Sequence, residues 1–301
     1  MPKVLLVHSK KYQNWVFSSG HPTQGRRFQI AADYLVGAAD TDSEFQLDIR
    51  EPRLAMKGEL ELVHDTEFIV DVLTNSVSWE WEGQRTDLAE LASLFVGGTL
   101  VALDGLMNGE VEVAVNFPGA KHHAQRNHSS GFCVFHDFTI AAKIATARGY
   151  RVAIFDLDAH HGDGTQELLR NEQVLTYSVH DKTIFPGTGF FNEPEFLIYN
   201  KPLDAYSGDF DLELAVGEFN QLATDFGATM IFIAAGADGH VSDPLSTLNY
   251  SVDGIVSAGQ AIKAHFPKTP FLIGGAGGYQ PDTHTPEIWS KMVFGLATLE
   301  N

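Results

Sequence analysis

Short apolar runs alternate along the chain with longer segments of helical periodicity. The short runs are rich in Val, Ile and Phe, which indicates buried strands. Strands that alternate with helices predict a parallel sheet with helices on both of its faces. The predicted strands are Val4 to Val7, Phe45 to Ile49, Val111 to Val115, Val152 to Asp156, Val174 to Ser178, Met230 to Ala234 and Phe271 to Ile273.

The longer segments repeat their apolar residues with the spacing of amphipathic helices. No repeat, low-complexity tract or linker interrupts the pattern, so residues 1–301 are predicted to form a single domain. The segment Val77 to Gln84 has no clear period and is predicted to be a loop. The predicted helices are Arg27 to Val36, Asp87 to Leu106, Phe138 to Ala147, Leu212 to Phe226, Val252 to Ala264 and Glu287 to Leu299.

The composition is that of an ordinary globular protein, with 44% hydrophobic and 20% charged residues among 301. Acidic residues outnumber basic ones by 39 to 20, which gives a formal net charge of -19. Such a balance disfavours nucleic acid as a partner, because phosphates are bound through positive charge. It suits either a cationic substrate or simple solubility.

The cysteine content and the apolar segments bear on the cellular compartment. Cys133 is the single cysteine, which excludes an intrachain disulfide and fits a reducing environment. The apolar run at the start is too short for a signal peptide, and no later segment approaches the roughly 18 apolar residues that span a bilayer. We therefore expect a cytoplasmic protein without a membrane segment. The sequence does not indicate an oligomeric state.

The most informative stretch runs from Asp156 to Gly164 and directly follows a predicted strand. Alternate residues of a strand point to one face, so Asp156, Asp158 and His160 can converge on one spot. Carboxylates combined with an imidazole suit a divalent transition metal, most often zinc. The alternative is a solvated, turn-rich loop.

Three further strand ends carry polar or glycine-rich segments. His122 and His123 follow one strand, and their near-neutral pKa makes them natural proton carriers. Asp238 lies among small residues, which let the backbone approach a ligand closely. It is interpreted either as a third metal ligand or as an ordinary turn former or helix cap. Tyr279 follows four glycines in the five positions 274–278, which lack the Lys and Ser/Thr of a phosphate-binding loop. Open α/β sheets bind ligands at this carboxyl edge.

These segments belong to a longer ordered series of motifs along the chain. The series comprises His21-Pro22 with Arg27, His122-His123-Ala124, Ser130-Gly131-Phe132-Cys133, Asp156 to Gly164, Ser178-Val179-His180, Phe185-Pro186-Gly187-Thr188-Gly189, Asp238 with Asp243-Pro244-Leu245, and Gly277-Gly278-Tyr279. Taken together and in order, these motifs resemble the zinc-dependent histone deacetylase family, whose relatives include acetylpolyamine amidohydrolases. The resemblance implies the arginase-deacetylase fold, a single α/β domain with a mostly parallel eight-stranded sheet flanked by helices.

The resemblance also implies a catalytic mechanism, in which a metal polarises the amide carbonyl and activates water. His123 is expected to remove the water proton, and the Tyr279 hydroxyl to stabilise the oxyanion. Either histidine could protonate the departing amine. The implied metal ligands are Asp158, His160 and Asp238, for Zn²⁺ or, alternatively, Fe²⁺. The implied supports of His122 and His123 are Asp156 and Asp163, which would set the tautomer of each ring.

Two further sites are implied by the resemblance alone. The first is a structural potassium ion, held through Asp156, the main-chain oxygens of Asp158, His160 and Val179, and the hydroxyl of Ser178. The second is a narrow acyl channel, with walls formed by Gly131, Phe132, Phe185 and Leu245. His161 is expected to have a structural role.

The expected activity is removal of an acetyl group from an acetylated amine, either acetyl-lysine or an acetylpolyamine. The substrate stays open because Ala120-Lys121 and Phe135-His136 depart from the family pattern, with Lys121 expected to place a cation near the pocket. The eukaryotic enzymes of the family grip the peptide backbone through an aspartate on an early loop. Glu80, Glu82 and Asp87 lie near the region expected for it, but they are equally explained as a solvated charge run. A binding protein for acetylated or cationic small molecules is the alternative function. Arginase-type hydrolysis generally needs a second metal, and only one full ligand set is visible.

Overall fold

A computed structural model describes residues 2–41 and 45–298. Within these ranges, eight strands form a single sheet in which every neighbouring pair is parallel. Their order across the sheet is β2-β1-β3-β8-β7-β4-β5-β6. The strands are β1 (Lys3–Val7), β2 (Gln46–Arg50), β3 (Val113–Asn116), β4 (Val152–Asp156), β5 (Leu175–Asp181), β6 (Ile198–Leu203), β7 (Met230–Ala234) and β8 (Phe271–Gly274).

All seven predicted strands are present, and the mostly parallel sheet proves to be parallel throughout its described pairs. The prediction missed β6, which pairs only with β5 and lies at the edge of the sheet. Its sequence contains Pro202 and its residues alternate irregularly between buried and partly exposed. Proline is tolerated at a sheet edge, but it weakens the strand signal in the sequence.

Each of the six predicted helices is confirmed, with ends that differ by a few residues, and the last residue of the predicted helix Glu287 to Leu299 lies outside the described residues. The segment Val77 to Gln84 is irregular, as predicted. Three short helices were missed because they are too brief for a period to show. The described helices are α1 (Arg26–Thr41), α2 (Lys57–Leu60), α3 (Thr66–Leu73), α4 (Thr86–Met107), α5 (Asp137–Ala147), α6 (Asp163–Leu169), α7 (Asp209–Phe226), α8 (Val252–His265) and α9 (His284–Thr298).

Helix α4 corrects one expectation from the sequence. By length and composition it could cross a membrane, although no segment was expected to approach that length. However, 78% of its most apolar 18-residue stretch is buried inside the protein. The helix packs against β1, β3 and α5. Its apolar character is therefore accounted for by its place in the core.

A stack of three aromatic rings ties two helices to the carboxyl edge of the sheet. The Trp289 ring of α9 is nearly parallel to Phe28 of α1 and to Phe117 after β3, with centroid distances of 5.8 and 5.7 Å. The Trp289 indole N–H also donates a hydrogen bond of 2.9 Å to the carbonyl of Ala235, just after β7. The stack thus holds the segments that follow β3 and β7.

We predict that Trp289→Ala lowers the free energy of unfolding by about 3–5 kcal/mol, the usual cost of removing a large buried aromatic ring. The loss also leaves the Ala235 carbonyl without its donor. Chemical denaturation measures the effect. The matched control is Trp79→Ala, because Trp79 is 80% exposed and its loss should cost less than about 1 kcal/mol. Equal losses in the two variants would contradict this account of the core.

Candidate active site

Four polar segments meet at the carboxyl edge of the sheet because the strands that precede them are parallel neighbours. Strands β3, β8, β7 and β4 are adjacent in that order, and each is followed by one of the segments singled out in the sequence. His122 and His123 come after β3, Asp158 after β4, Asp238 after β7 and Tyr279 after β8. The predicted convergence of these segments is therefore confirmed.

The side chains of Asp158, His160 and Asp238 form a compact group of possible metal ligands. Their ligand atoms all lie within 4.8 Å of one another, and all three residues are buried. The His160 Nδ1 atom lies 3.0 Å from Asp158 Oδ1 and 2.9 Å from Asp238 Oδ2. Two carboxylates and one imidazole match the donor set of a Zn²⁺ or Fe²⁺ centre with room for further ligands.

The electrostatics of this group favour positive charge. Burial opposes a charge on His160, but its hydrogen bonds with Asp158 and Asp238 outweigh burial and raise its pKa to about 11. The two buried carboxylates therefore fit a divalent cation.

Main-chain N–H groups fix the orientation of the two carboxylates. The N–H of Gly277 donates to Asp158 Oδ2, and the N–H of Ala159 donates to Asp238 Oδ1. The main chain at Gly277 lies so close to the two carboxylates that no space remains for a side chain at this position. A Cβ atom there would lie 2.2 Å from Asp238 Oδ2 and 2.6 Å from Asp158 Oδ2. Glycine is therefore required by the close packing of the carboxylates.

Each of the two neighbouring histidines is bonded to its own carboxylate, as predicted. His122 Nδ1 lies 2.7 Å from Asp156 Oδ2, and His123 Nδ1 lies 2.6 Å from Asp163 Oδ1. Since an ionised carboxylate only accepts hydrogen bonds, each Nδ1 carries a proton. The Nε2 atom of a neutral ring is then free to accept another. The ring centroids are 4.0 Å apart.

The two histidines differ in their affinity for a second proton. Burial lowers the pKa of His122, but the negative charges of Asp156 and Asp158 outweigh it and raise that pKa to about 9. Burial and then repulsion by His122 lower the pKa of His123 to about 4, despite its bond to Asp163. The pair therefore combines a ring that binds a second proton readily with one that binds it weakly.

Tyr279 is held at the cavity by contacts on both sides of its main chain. Its N–H donates to Asp243 Oδ2 at 2.7 Å, and the Arg27 guanidinium donates to the preceding carbonyl, that of Gly278. Gly278 has a φ of 140°, a conformation that side chains rarely permit. Burial raises the pKa of the Tyr279 hydroxyl well above its ordinary value. The hydroxyl therefore stays protonated and available as a donor.

A cavity of about 520 Å³ opens onto these groups. All four residues predicted for the channel line it, namely Gly131, Phe132, Phe185 and Leu245. His123, His160 and Tyr279 also line it, so the histidine, the possible ligand and the hydroxyl face one space. The remaining lining residues are Trp79, Glu80, Ser129, Ser130 and Ile184. None of them was assigned to the channel from the sequence, although Ser130 belongs to a motif of the resemblance and Glu80 to the acidic residues weighed for substrate contact.

The predicted potassium ligands are neighbours in the structure. Asp156 of β4 and Ser178 of β5 are directly paired across the sheet, and Val179 is next along β5. The loop after β4 stays close to β5, because the N–H of Asp181 donates to the carbonyl of Ala159. The side chains of all five predicted residues are buried, including those of Asp158 and His160. Their roles stay predictions.

The residues that depart from the family pattern lie away from the cavity wall. The sequence placed the Lys121 cation near the pocket. In the structure its buried ammonium lies 5.4 Å from the centre of the Phe95 ring, and Lys121 is not among the residues that line the cavity. His136 is buried and bonded to Thr165. His161 bonds Thr188 and Gln166 through its two ring nitrogens.

The parallel sheet and the compact group of possible metal ligands at its carboxyl edge define an α/β protein with a candidate metal site, and similarity to known proteins specifies the class. The profile of the histone deacetylase domain matches residues 21–296. The chain belongs to the histone deacetylase family.

Curated relatives agree with this assignment, and a solved structure agrees with the fold. Acetoin utilization protein AcuC of Bacillus subtilis strain 168 is 32% identical over 316 residues, which cover 96% of this chain and 80% of that protein. Acetoin utilization protein AcuC of Staphylococcus aureus strain Mu50 is 30% identical over 320 residues, which cover 98% of this chain and 82% of that protein. The crystal structure of the HDA15 HD domain superposes with a TM-score of 0.84 at 23% identity, covering 100% of this chain and 91% of that chain. The predicted arginase-deacetylase fold is confirmed.

We predict that Gly277→Ala weakens Zn²⁺ binding about tenfold or more, because the added methyl group displaces two carboxylates of the metal group, and changes next to metal ligands typically cost that much. Competition with a chromophoric chelator measures the affinity. Gly217→Ala on α7 is the control, since a Cβ atom there meets nothing within 4 Å. Equal affinity in the two variants would show that Gly277 does not position the ligands.

Proposed function

We propose that this protein is a metal-dependent deacetylase that hydrolyses the amide bond of an acetylated amine. The observation that carries the proposal is that His123, His160 and Tyr279 line one cavity. His160 belongs to the group of possible metal ligands, and His123 with Asp163 lies beside a second histidine–aspartate pair, His122 and Asp156. A protein that only bound its ligand would need none of the proton carriers. We further propose that residues 1–301 act as one catalytic domain in the cytoplasm.

Asp158, His160 and Asp238 would hold the metal, Zn²⁺ or Fe²⁺, and their geometry supports either ion. A cation at this position supplies Lewis acidity to the amide carbonyl and to water. K⁺ would bind nearby through Asp156, Ser178 and the carbonyls of Asp158, His160 and Val179. That site would stabilise the loop that carries the metal ligands.

His123 is the expected general base. Its low pKa leaves it neutral at neutral pH, and its Nδ1–H bond to Asp163 directs the free Nε2 away from that carboxylate. Its ring lines the cavity, whereas His122 is not among the lining residues. His123 would take a proton from the attacking water, while His122 with its Asp156 partner would keep positive charge beside the reaction. Either ring could then return a proton to the departing amine.

Tyr279 would donate a hydrogen bond to the oxygen that becomes negatively charged. Its hydroxyl keeps its proton because burial and the nearby carboxylate of Asp238 raise its pKa. The main-chain contacts to Asp243 and Arg27 fix the residue before substrate binds. A donor positioned in advance is typically worth about 3 kcal/mol of transition-state stabilisation.

The substrate class is an acetylated amine, with acetyl-lysine and acetylpolyamines as the two candidates. Apolar walls formed by Phe132, Phe185 and Leu245 suit the methylene chain that both share. The net charge of -19 favours a cationic molecule over nucleic acid.

The test is release of acetate by metal-free protein before and after addition of Zn²⁺ or Fe²⁺. An acetyl-lysine peptide, N-acetylputrescine and N-acetylspermidine form the substrate panel. We expect release only with metal present, and its loss in His123→Ala, which should still bind Zn²⁺. Failure of the metal-loaded protein to release acetate from every substrate, while a thermal melt shows that it binds them, would instead establish a binding function.

We predict that Tyr279→Phe lowers kcat by about two to three powers of ten with little change in KM, because the lost contact is made mainly in the transition state. The variant keeps the ring, which packs edge-on against Phe132 at 5.9 Å. Steady-state kinetics and Zn²⁺ content are measured together. Full activity in a variant that binds metal normally would remove Tyr279 from the mechanism.

A further inference from the structure

Two buried cations lie near Tyr279, and the proposed chemistry assigns no role to the charge of either. The Lys121 ammonium lies 6.0 Å from the centre of the Phe28 ring, and the Arg27 guanidinium carbon lies 5.1 Å from the same centre. Arg27 also lies 5.7 Å from the centre of the Tyr279 ring. Tyr279 lines the cavity, whereas neither cation does. The two cations therefore lie on the inner side of Tyr279, away from the mouth of the channel.

Neither cation forms a salt bridge within residues 2–41 and 45–298. Burial lowers the pKa of Lys121 and that of Arg27, so their surroundings do not fully compensate the positive charge. The Arg27 Nε–H group is buried and has no hydrogen-bond partner among the described residues. Buried charges are normally paired, because an unpaired one is costly. Together the two cations are suited to accept an anion.

The acidic groups around Lys121 are bonded elsewhere or carry no charge. The Asp137 carboxylate accepts the main-chain N–H groups of Ala120 and Lys121. It also accepts the Thr99 hydroxyl at 2.6 Å. Burial raises the pKa of the Cys133 thiol to about 12, so this group stays neutral. The ammonium charge is thus left for a ligand to compensate.

A pair of aromatic rings forms the frame in which these donors lie. Phe28 and Phe95 pack edge to face with a centroid distance of 5.8 Å, and the Lys121 ammonium lies near both rings. The Trp15 ring packs on Phe95 at 4.8 Å, and its buried indole N–H has no hydrogen-bond partner among the described residues. A further donor is thus present in the same frame. Hydrogen bonds from cationic donors to a carboxylate are among the strongest that proteins form.

We propose that Lys121 and Arg27 form an anion subsite on the inner side of Tyr279, through which the protein hydrolyses amides whose acyl group ends in a carboxylate, such as succinyl and glutaryl. The proposal rests on the proposed function and extends it from the acetyl group to acidic acyl groups. The Tyr279 hydroxyl would bond the amide oxygen, and the acyl chain would continue past it toward the two cations. Salt screens the net charge of -19 over distances beyond about 10 Å, so the buried cations dominate at this subsite.

The reaction at such a substrate is the same hydrolysis of an amide. The oxygen of water bonds to the acyl carbon, the carbon–nitrogen bond breaks, and a proton from the water goes to the departing amine. The products are a free amine and a dicarboxylic acid. Water is the only other reactant, so neither an oxidant nor a reductant is needed.

The test compares peptide pairs that differ only at the end of the acyl group. Succinyl-lysine and glutaryl-lysine are each paired with the analogue in which a carboxamide replaces the terminal carboxylate. Calorimetry on the zinc-loaded His123→Ala chain gives Kd values, and steady-state kinetics on the active zinc-loaded chain give kcat/KM. We expect a preference of about tenfold or more for the carboxylate, because hydrogen bonds to charged groups exceed those between neutral groups.

Lys121→Met is the decisive variant, because it keeps an apolar stem of similar length and removes the charge. We expect it to bring the carboxylate and the carboxamide to within about twofold of each other. Lys121→Gln, which is uncharged but polar, repeats the test if methionine disturbs the packing. The preference is a ratio within one variant, so a general loss of activity does not imitate its loss.

Lys143→Met is the matched control. It removes the same charge from α5, where Lys143 is only partly buried and pairs with Glu172. We expect this variant to keep the full preference for the carboxylate. The control thus separates the position of the charge from the net charge of the chain.

The outcomes separate this inference from the proposed function. A preference that persists in both Lys121 variants, or that is absent from the unaltered chain, overturns the anion subsite even if acetate is released from acetyl-lysine. A preference in Kd that depends on Lys121 supports the subsite, even if no acyl group is released and the proposed function fails. Binding that depends on Lys121 without release of the acidic acyl group, in a chain that does release acetate, overturns the further activity.

Discussion

Every described strand pair of the sheet is parallel, and the whole site depends on that constraint. Parallel strands bring all of their carboxyl ends to one edge, where the following loops meet. Residues that are distant in sequence, such as His123 and Tyr279, thereby line one cavity. The aromatic stack on Trp289 then ties α1 and α9 to the segments that follow β3 and β7.

The second constraint is the concentration of buried charge at this edge. Asp156 and Asp163 are each compensated by a histidine, while Asp158 and Asp238 share His160 and receive main-chain N–H bonds. Unpaired buried carboxylates are very costly, so this arrangement requires positive charge at its centre. The negative charge of these carboxylates also makes the pKa of His122 higher than that of His123, because His122 lies close to two carboxylates and His123 close to one. The charge of the possible metal ligands and the difference between the two histidines thus have a common origin.

Much of the fold was predictable from the sequence because buried parallel strands are continuous apolar runs and long helices repeat their apolar residues. The missed elements are those in which such signals are weak: β6 is an edge strand with Pro202, and α2, α3 and α6 are short. For helix α4 the apolar signal is strong but ambiguous, since its composition alone does not distinguish a core helix from a membrane helix. Burial by neighbouring elements makes that distinction.

The sequence by itself determined the parallel α/β fold and which polar residues stand at its edge, because local periodicity marks the strands and each motif directly follows one. It also determined the partners of the two histidines, through the resemblance of Asp156 and Asp163 to a known pattern. Only the tertiary structure showed that Glu80 and Trp79 line the channel and that Lys121 points into the core. The position of a side chain on an irregular loop depends on distant contacts, here with Phe132 and Ser129, which no local pattern encodes.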